Sequence, residues 1–426
     1  MSCETASRNA TAPEPGIAPG AQTLDVRAIA RAIGRHGRHP ALPATIPGFD
    51  APFFQAGLAG YSDAAMRLIA RRHGCPLCVT EALLDRTLLS GGRGFAKADL
   101  GELHDNVPGG EDDHPLVGQL MGSDPGEMAA AAVKMVEQGA RAAREYRELA
   151  GGGAIGNGQL AIGRDAPEAS LPSHSDPIAN CQLPIATFQA IDINLACPVK
   201  KIAKKARGGH WLAEPQGAIA ILKAVRDALP ERVPCTLKIR RSYDDTPEMA
   251  RNFMRIFDAA YDLGYAWATV HARTVQQKYV GPSRWDLLRD IVQQRPGRVV
   301  FGSGDIWQVQ DIFRMIGYTG VAGVSVARGC IGNPWIFRQA RDMMAGEDPR
   351  PPTIAEQRQV LEDHFALALR VNATMRDPEH VTGKTMRKFA IRFAQHHPAG
   401  EEVRKRFIGV KGLEEWRGVL GEWYEQ

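Results

Sequence analysis

Cys197 is the first residue whose type and position could do chemistry. It lies near the end of the stretch DINLACP, residues 192–198. The alternating apolar residues of this stretch predict a strand, and the Cys-Pro pair predicts a turn directly after the strand. Four lysines follow closely, at Lys200, Lys201, Lys204 and Lys205. We therefore expect a strand that delivers one thiol to the mouth of a site, with cations nearby.

Further reactive or binding side chains recur where other predicted strands end. They are Gln119 in GQLMG, Asn194 in DINLACP, Lys238 in LKIRR, His271 and Arg273 in VHART, Ser303, Gly304 and Asp305 in GSGD, and Ala327 and Arg328 in ARGCIGNP. In a barrel of parallel strands these ends converge on one mouth. The two Gly-rich turns that come last, with Arg328 beside them, are typical of a phosphate-binding site, so a phosphorylated cofactor is plausible from the residues alone.

Alternating strand and helix patterns from Pro52 onward predict the elements that position these residues. Eight strands are predicted, near Phe53 to Ala56, Leu77 to Thr80, Leu116 to Met121, Ile191 to Leu195, Cys235 to Ile239, Ala268 to His271, Val299 to Gly302 and Gly323 to Val326. Helical patterns lie between them, near Ala64 to His73, Glu127 to Gln138, Gly217 to Leu229, Pro247 to Leu263 and Gln308 to Ile316. This order favours an α/β fold, a (β/α)8 TIM barrel. A doubly wound sheet is the alternative, but the Gly-x-Gly-x-x-Gly opening of a dinucleotide domain is absent from the first βα turn.

The regions outside the strand and helix alternation predict an N-terminal extension, an insertion in the barrel and a C-terminal domain. Residues 1–48 are rich in Ala, Pro, Gly and Arg, and we expect a mobile N-terminal extension with a short helix near Leu24 to Ile33. The barrel is expected over residues 49–337, with an insertion at 141–184 on the face opposite the site. Residues 345–426 contain only helical patterns and predict a smaller C-terminal helical domain, with helices near Ile354 to Asn372, Thr382 to His396, Gly400 to Phe407 and Leu413 to Trp423.

Composition limits the class of protein. With 426 residues, 44% hydrophobic content and a net charge of +4, the chain is not wholly disordered and would suit an anionic partner without requiring one. No stretch approaches the roughly 18 consecutive apolar residues of a membrane helix. The seven cysteines are scattered, and no signal-peptide pattern begins the chain, so we expect a reduced, cytoplasmic protein.

Cys75 and Cys78 form a Cys-x-x-Cys pair, which is half of a common structural zinc site. A second such pair is missing from the sequence. Because residues three apart on a strand point to opposite faces, we interpret the pair as two buried structural thiols and expect no metal.

The motif order closely resembles that of the tRNA-dihydrouridine synthases, which are FMN-dependent (β/α)8 enzymes. The resemblance covers about Ala51 to Phe337 and rests on GLAGYSDAAMR, TEALL, GQLMGSDP, DINLACPVKKIAKK, LKIRRSYDD, VHARTVQQKYVGPSRWD, SGDI and ARGCIGNPWIF. It implies FMN contacts from Gly57, Leu58, Ala59, Gln119, Lys238, His271, Ser303, Gly304, Asp305, Ala327 and Arg328. The chain departs from the family at Gly57, Ser303 and Ala327, where proline, asparagine and glycine are common.

The resemblance also implies a reaction, the reduction of tRNA uridines, with the D-loop as the expected place, by NADPH or NADH through FMN. Cys197 would donate a proton to the base, and Asn194 would contact that base. A thiol suits this step because hydride addition at C6 leaves enolate-like charge at C5, which needs a nearby acid. The alternatives are a buried inert cysteine at position 197 and a core histidine at position 271.

Basic residues predict contacts to the phosphates of tRNA. We expect a monomer in which these contacts come from Arg273, Lys200, Lys204, Lys384, Arg387, Lys388 and Arg392. The last four share one helix face, for which a solvated surface is the alternative. Two other functions also stay open: an FMN barrel that reduces a small pyrimidine or an enone, and a tRNA-binding protein with an inactive site.

Overall fold

The computed structural model describes residues 19–36, 42, 46–90, 110–136, 188–199, 207–373 and 375–425. The predicted contacts of Lys200 and Lys204, the neighbouring Lys201 and Lys205, and the insertion at 141–184 lie outside the described residues.

The described strands form a closed parallel barrel. Its eight strands are β1 (Phe53–Gln55), β2 (Cys78–Val79), β4 (Leu116–Met121), β5 (Ala190–Leu195), β6 (Cys235–Arg240), β7 (Trp267–His271), β8 (Val300–Ser303) and β9 (Gly323–Val326). Each pairs with the next, and β9 pairs with β1 to close the ring. A two-residue strand, β3 (Leu83–Leu84), adds to β4 outside the ring. The predicted (β/α)8 TIM barrel is confirmed; β3 was not predicted.

Strand register explains how the predicted site residues come together. Gln119 on β4 lies opposite Asp192 on β5, and Asn194 lies opposite Lys238 on β6. His271 on β7 lies opposite Ser303 on β8. Residues two apart on a strand share a face, so these polar side chains form a band around one end of the barrel. Most other strand residues are buried and apolar, as expected for a parallel barrel, and the buried polar exceptions include Gln55, Thr236, Thr269 and Ser325.

Helices follow the strands and cover the barrel. They span Ala64–Arg72, Asp85–Ser90, Pro125–Val136, Pro215–Ala228, Pro247–Asp262, Trp285–Gln294, Val309–Thr319 and Trp335–Ala345. Asp63 and Thr246 cap two of them by accepting backbone N–H groups. The helices Trp285–Gln294 and Trp335–Ala345 were not predicted. They begin after Arg284 and Pro334, whose side chains make no cap in the structure. Helix-start signals do precede them in the sequence, in Ser283 with Asp286 and in the pair Asn333-Pro334.

The described N-terminal segment is packed on the barrel. Helix Val26–Arg35 contacts helices Trp335–Ala345 and Val309–Thr319. Gly34 touches the Met344 backbone so closely that a side chain at position 34 would collide with it. We expected a mobile extension over residues 1–48; this helix instead forms part of the outer layer.

The C-terminal helices share one continuous hydrophobic core with the barrel and its surrounding helices. They span Ile354–Val371, Pro378–Phe393, Gly400–Ile408 and Leu413–Trp423. The Trp416 ring packs 5.0 Å from Phe365 and 5.1 Å from Phe407, measured between ring centroids. Across the junction, the Trp335 ring lies 4.9 Å from Phe393. Among the helices that the structure describes, none is long and apolar enough to cross a membrane.

Cys75 and Cys78 are both buried and both free. Their sulfur atoms are 3.9 Å apart, so the expectation that they face opposite ways is wrong. Only Cys78 belongs to a strand, whereas Cys75 lies in the turn before it. Within the described ranges, no group of three or more His, Cys, Asp or Glu side chains could hold a metal ion.

A buried ion pair allows a stability prediction. Arg67 and Asp113 are 1% and 0% exposed, and the guanidinium donates to both carboxylate oxygens. Arg67→Met leaves a buried carboxylate without its cation, so we expect the free energy of unfolding in urea to fall by about 3–5 kcal/mol. Arg72→Met, on the same helix, removes a half-exposed pair with Asp363 and should cost less than about 1 kcal/mol. Equal losses of unfolding free energy in the two variants would contradict the view that Arg67 neutralises the buried carboxylate of Asp113.

Candidate active site

The turn that carries Cys197 is held from several sides at the mouth of the barrel. Asn194 Oδ1 accepts the backbone N–H groups of Ala196 (2.9 Å) and Cys197 (3.1 Å). Arg240 Nε donates to the carbonyl of Ala196 at 2.8 Å. The N–H of Gly209 donates to the carbonyl of Cys197 at 3.0 Å. These contacts fix where the thiol lies.

The Cys197 thiol is partly buried and keeps its proton at neutral pH. Burial raises its pKa above the ordinary value for a thiol, although the Val199 backbone and the cations of Arg240 and Lys238 act in the opposite direction. A protonated thiol can donate H⁺ but is a poor nucleophile. The site is therefore better suited to general acid chemistry than to covalent attack.

Lys238 places a second proton-carrying group beside this turn. Its pKa is lowered to about 8, mainly by burial and next by the charge of Arg240, while Asp192 and Cys197 oppose the shift. Lys238 is thus mostly cationic at pH 7. With Gly57 and Gln119 it lines a cavity, whose wall also includes Phe54 and Trp267.

The segment after β1 lies at the same mouth. A Cβ at Gly57 would collide with the carbonyl of Thr80 and lie 3.2 Å from Gln119 Oε1, so this close approach requires glycine. The N–H of Leu58 donates to Ser62 Oγ at 2.8 Å, and Ala59 is exposed. Of the predicted residues Gly57, Leu58 and Ala59, Gly57 lines the cavity beside Gln119, and the other two follow it directly in the chain.

A second cluster lies at the ends of β7, β8 and β9. Gly304 has φ +111°, and a Cβ there would collide with Ser283 Oγ and lie 2.8 Å from His271 Cδ2. Asp305 accepts hydrogen bonds from Arg273 Nη2 (2.6 and 2.7 Å) and from the Ser283 N–H (2.7 Å). The nearest guanidinium nitrogen of Arg328 is 3.9 Å from the same carboxylate. The turn thus lies between two arginines and one carboxylate.

Two buried donors of this cluster are unused. Arg273 Nη1 and Ser283 Oγ have no hydrogen-bond partner among the described residues. A buried unpaired polar group is costly, so it signals a missing partner. With one carboxylate against two guanidinium groups, the excess charge is positive. The donor set and the glycine turn therefore fit a phosphate group.

The structure gives Arg273 a different environment from the one expected. It is 2% exposed and is held by Asp305 and by the carbonyl of Gly281. Its guanidinium therefore faces the phosphate-type cluster, whereas we expected it on the tRNA-binding surface.

The second cluster also contains His271, Ser303, Ala327 and Arg328. Burial lowers the pKa of His271 well below its usual range, and Arg240 and Lys238 lower it further, so the ring is neutral. Ser303 Oγ donates to the carbonyl of Ser325 at 3.5 Å. Ala327 directly precedes Arg328, whose guanidinium lies 4.5 Å from the Trp307 ring and 4.8 Å from the Tyr279 ring.

The predicted basic helix face is divided between two roles. Lys384 and Arg392 are exposed, and Arg387 Nη1 donates to the carbonyl of Ile408 at 3.4 Å. Lys388 Nζ donates to the carbonyl of Gly60 and lies 4.6 Å from the Tyr61 ring centroid. Lys388 therefore joins the helical domain to the barrel mouth, beside the loop that follows Gly57.

Several site residues were missed. Asp192 accepts from Gln119 and Thr236, and Arg240 contacts the Cys197 turn. Strand alternation could have found both, because Asp192 lies two residues before Asn194 and Arg240 lies two residues after Lys238. Ser283 carries no comparable signal, since it lies in an irregular loop.

Known proteins resemble this chain. A family model described as "Dihydrouridine synthase (Dus)" matches residues 176–416. The chain is 31% identical to tRNA-dihydrouridine synthase B of Shewanella oneidensis, covering 73% of this chain and 77% of that protein. It is 28% identical to the synthase B of Pseudomonas putida, covering 84% and 86%. A "Probable tRNA-dihydrouridine synthase" of Treponema pallidum is 32% identical, covering 54% and 67%.

Proposed function

Because the chain belongs to the dihydrouridine synthase family, we propose that it reduces specific uridines of tRNA to 5,6-dihydrouridine, with FMN as cofactor and NADPH or NADH as reductant. The observation that carries this proposal is the protonated thiol of Cys197, fixed in a turn at the barrel mouth beside Lys238. The unused donors at the Gly304 turn support a phosphorylated cofactor.

The proposed reaction adds two hydrogens across the C5=C6 bond of uridine. Reduced FMN, when bound, supplies the hydride. Hydride at C6 leaves negative charge on C5 and the C4 carbonyl, and the Cys197 thiol gives its proton to C5, which completes the product. Lys238, cationic at neutral pH, would hold negative charge at the pyrimidine edge of the flavin. Asn194 would act at the base, although in the structure its side-chain amide also holds the Cys197 turn.

Cofactor binding would use the residues around Lys238 and the second cluster, at the ends of β7, β8 and β9. Gly57, Leu58, Ala59 and Gln119 would contact the ring system, together with Lys238. The phosphate would lie against the second cluster, formed by His271, Ser303, Gly304, Asp305, Ala327 and Arg328, with Arg273 and Ser283 as added donors. A phosphate there would satisfy the buried guanidinium and hydroxyl atoms that have no partner in the described protein.

A direct assay tests the function. The purified protein, supplied with FMN and NADPH, is incubated with unmodified tRNA or with free uridine, and products are measured by nucleoside mass spectrometry. We expect dihydrouridine in tRNA and little reduction of free uridine. Reduction of the free nucleoside alone would favour a small-substrate reductase, and a protein that binds no flavin would favour an inactive tRNA-binding protein.

The exposed basic residues give a binding prediction. Lys384→Glu and Arg392→Glu should each weaken tRNA binding and lower the slope of log K against log salt by about 1, because each removes a phosphate contact. Arg232→Glu is the matched control, since Arg232 is exposed just before β6, on the barrel face opposite the mouth. Filter binding at several salt concentrations measures the slopes. Identical slopes in all three variants would exclude this helix face from the tRNA site.

A further inference from the structure

A continuous chain of hydrogen bonds joins Asp192 to the Cys197 turn. Asp192 Oδ2 accepts from Gln119 Nε2 at 2.8 Å, and Gln119 Oε1 accepts from Asn194 Nδ2 at 2.7 Å. Asn194 Oδ1 then accepts the N–H groups of Ala196 and Cys197. The first three side chains are buried, so water does not compete strongly for these bonds.

The two ends of this chain determine its direction. The backbone N–H groups of the Cys197 turn can only donate, and an ionised carboxylate can only accept. An amide side chain can be turned either way by exchanging its oxygen and nitrogen. With both ends fixed, only one orientation of the Gln119 and Asn194 amides satisfies every bond. Burial raises the pKa of Asp192 to about 6, so it is mostly ionised at neutral pH.

The second oxygen of Asp192 is also engaged. Thr236 Oγ1 donates to Asp192 Oδ1 at 2.6 Å, which holds the carboxylate from β6 while Gln119 holds it from β4. Asp192 is therefore held between two strands, but either of its oxygens can only accept, so the direction of the amides does not depend on the Thr236 bond. The amides must follow Asp192.

We propose that Asp192 is a positioning residue for Cys197, which acts by orienting the Gln119 and Asn194 amides so that Asn194 holds the turn of the thiol. This inference rests on the proposed function, in which Cys197 is the proton donor. Asp192 need not touch the cofactor or the base to have this effect.

The first test removes the acceptor. In Asp192→Leu, Gln119 and Asn194 lose their fixed orientation, and the turn should loosen. We expect iodoacetamide to alkylate Cys197 several-fold faster, measured by peptide mass spectrometry at fixed pH. The kcat for dihydrouridine formation should fall about 10²-fold, as misplacement of a catalytic group commonly does. An unchanged alkylation rate in the folded variant would overturn the inference.

Two further variants separate polarity from charge and from folding defects. Asp192→Asn can keep an oxygen towards Gln119 by turning its nitrogen to Thr236, whose hydroxyl can accept, so alkylation of Cys197 should stay near the wild-type rate. If Cys197 is alkylated as fast in Asp192→Asn as in Asp192→Leu, the hydrogen bond that residue 192 accepts from Gln119 does not hold the turn, and the inference is overturned. Gln119→Met breaks the chain at its middle link with Asp192 intact and should reproduce the fast alkylation. If Asp192→Leu does not fold, slow alkylation in Gln119→Met overturns the inference.

A control variant and the choice of readout complete the design. Thr236→Val removes the other partner of Asp192 but leaves the chain to Cys197, so the alkylation rate should match the wild type. Fast alkylation in Thr236→Val would overturn the inference, since it would show that any loss around Asp192 loosens the turn. Alkylation of Cys197 needs no turnover, so the comparison of variants holds even if the wild-type protein forms no dihydrouridine. That second result would contradict the proposed function but not the positioning role of Asp192.

Discussion

Cys197→Ala is expected to bind FMN and to be reduced by NADPH as the wild type is, yet to form dihydrouridine about 10²- to 10⁴-fold more slowly, the usual range for loss of a general acid. Cofactor binding should survive because none of the proposed flavin contacts comes from this side chain. Flavin content, the rate of flavin reduction and the rate of product formation are measured on the same preparation.

Cys235→Ala is the matched control for this variant. Cys235 is a buried thiol at the start of β6, at the opposite end of the barrel from the mouth. It should keep the wild-type rate of product formation. If Cys197→Ala is as active as Cys235→Ala, the cysteine has no part in the mechanism.

The pH dependence of kcat also tests whether Cys197 is the general acid. A general acid must hold its proton, so kcat should fall as pH rises through the pKa of Cys197. Because burial raises that pKa, the fall should begin above the ordinary pKa of a thiol. Loss of the Lys238 charge is expected to add a separate fall near pH 8. If Lys238→Arg, which stays cationic, still loses activity below the ordinary pKa of a thiol, the acid is another group.

Gly304→Ala is expected to weaken FMN binding by about 10- to 100-fold. The position has φ +111°, where a side chain causes strain of about 1–3 kcal/mol. A Cβ would also collide with Ser283 and lie 2.9 Å from His271 Nε2. The turn must move to relieve both, and the proposed phosphate contacts move with it. Fluorescence titration of the apoprotein with FMN measures the change.

Gly297→Ala separates backbone strain from loss of the site. Gly297 also has a positive φ, at +85°, but a Cβ there meets no atom within 4 Å. It should bind FMN as the wild type does, with only a modest loss of stability. Equal FMN affinity in the two variants would mean that the phosphate lies elsewhere.

The strands of the barrel could be predicted because their signal is local. Short apolar runs such as Ile191 to Leu195 end at turns, and their order favours a closed parallel sheet over a doubly wound one. Helix Trp335–Ala345 was missed although the pair Asn333-Pro334 signals a helix start; in the structure Pro334 occupies the cap position and its side chain makes no cap. The packing of Val26–Arg35 depends on contacts with residues some three hundred positions later, which no local pattern contains.

The candidate site could be predicted in position but not in detail. Strand ends such as Asn194 and Lys238 converge because a barrel requires it. The environment of a charged side chain depends on distant partners: Arg273 is buried by Asp305, and Lys388 is held by Gly60. By pattern alone both look like surface cations that could contact RNA.

The most direct test of the account follows the reduced flavin itself. The enzyme is reduced without oxygen, excess reductant is removed, and unmodified tRNA is added while the flavin spectrum is recorded. We predict that the oxidised spectrum returns and that dihydrouridine appears in an equal molar amount. A flavin that stays reduced in the presence of tRNA, with no dihydrouridine formed, would contradict the proposed function.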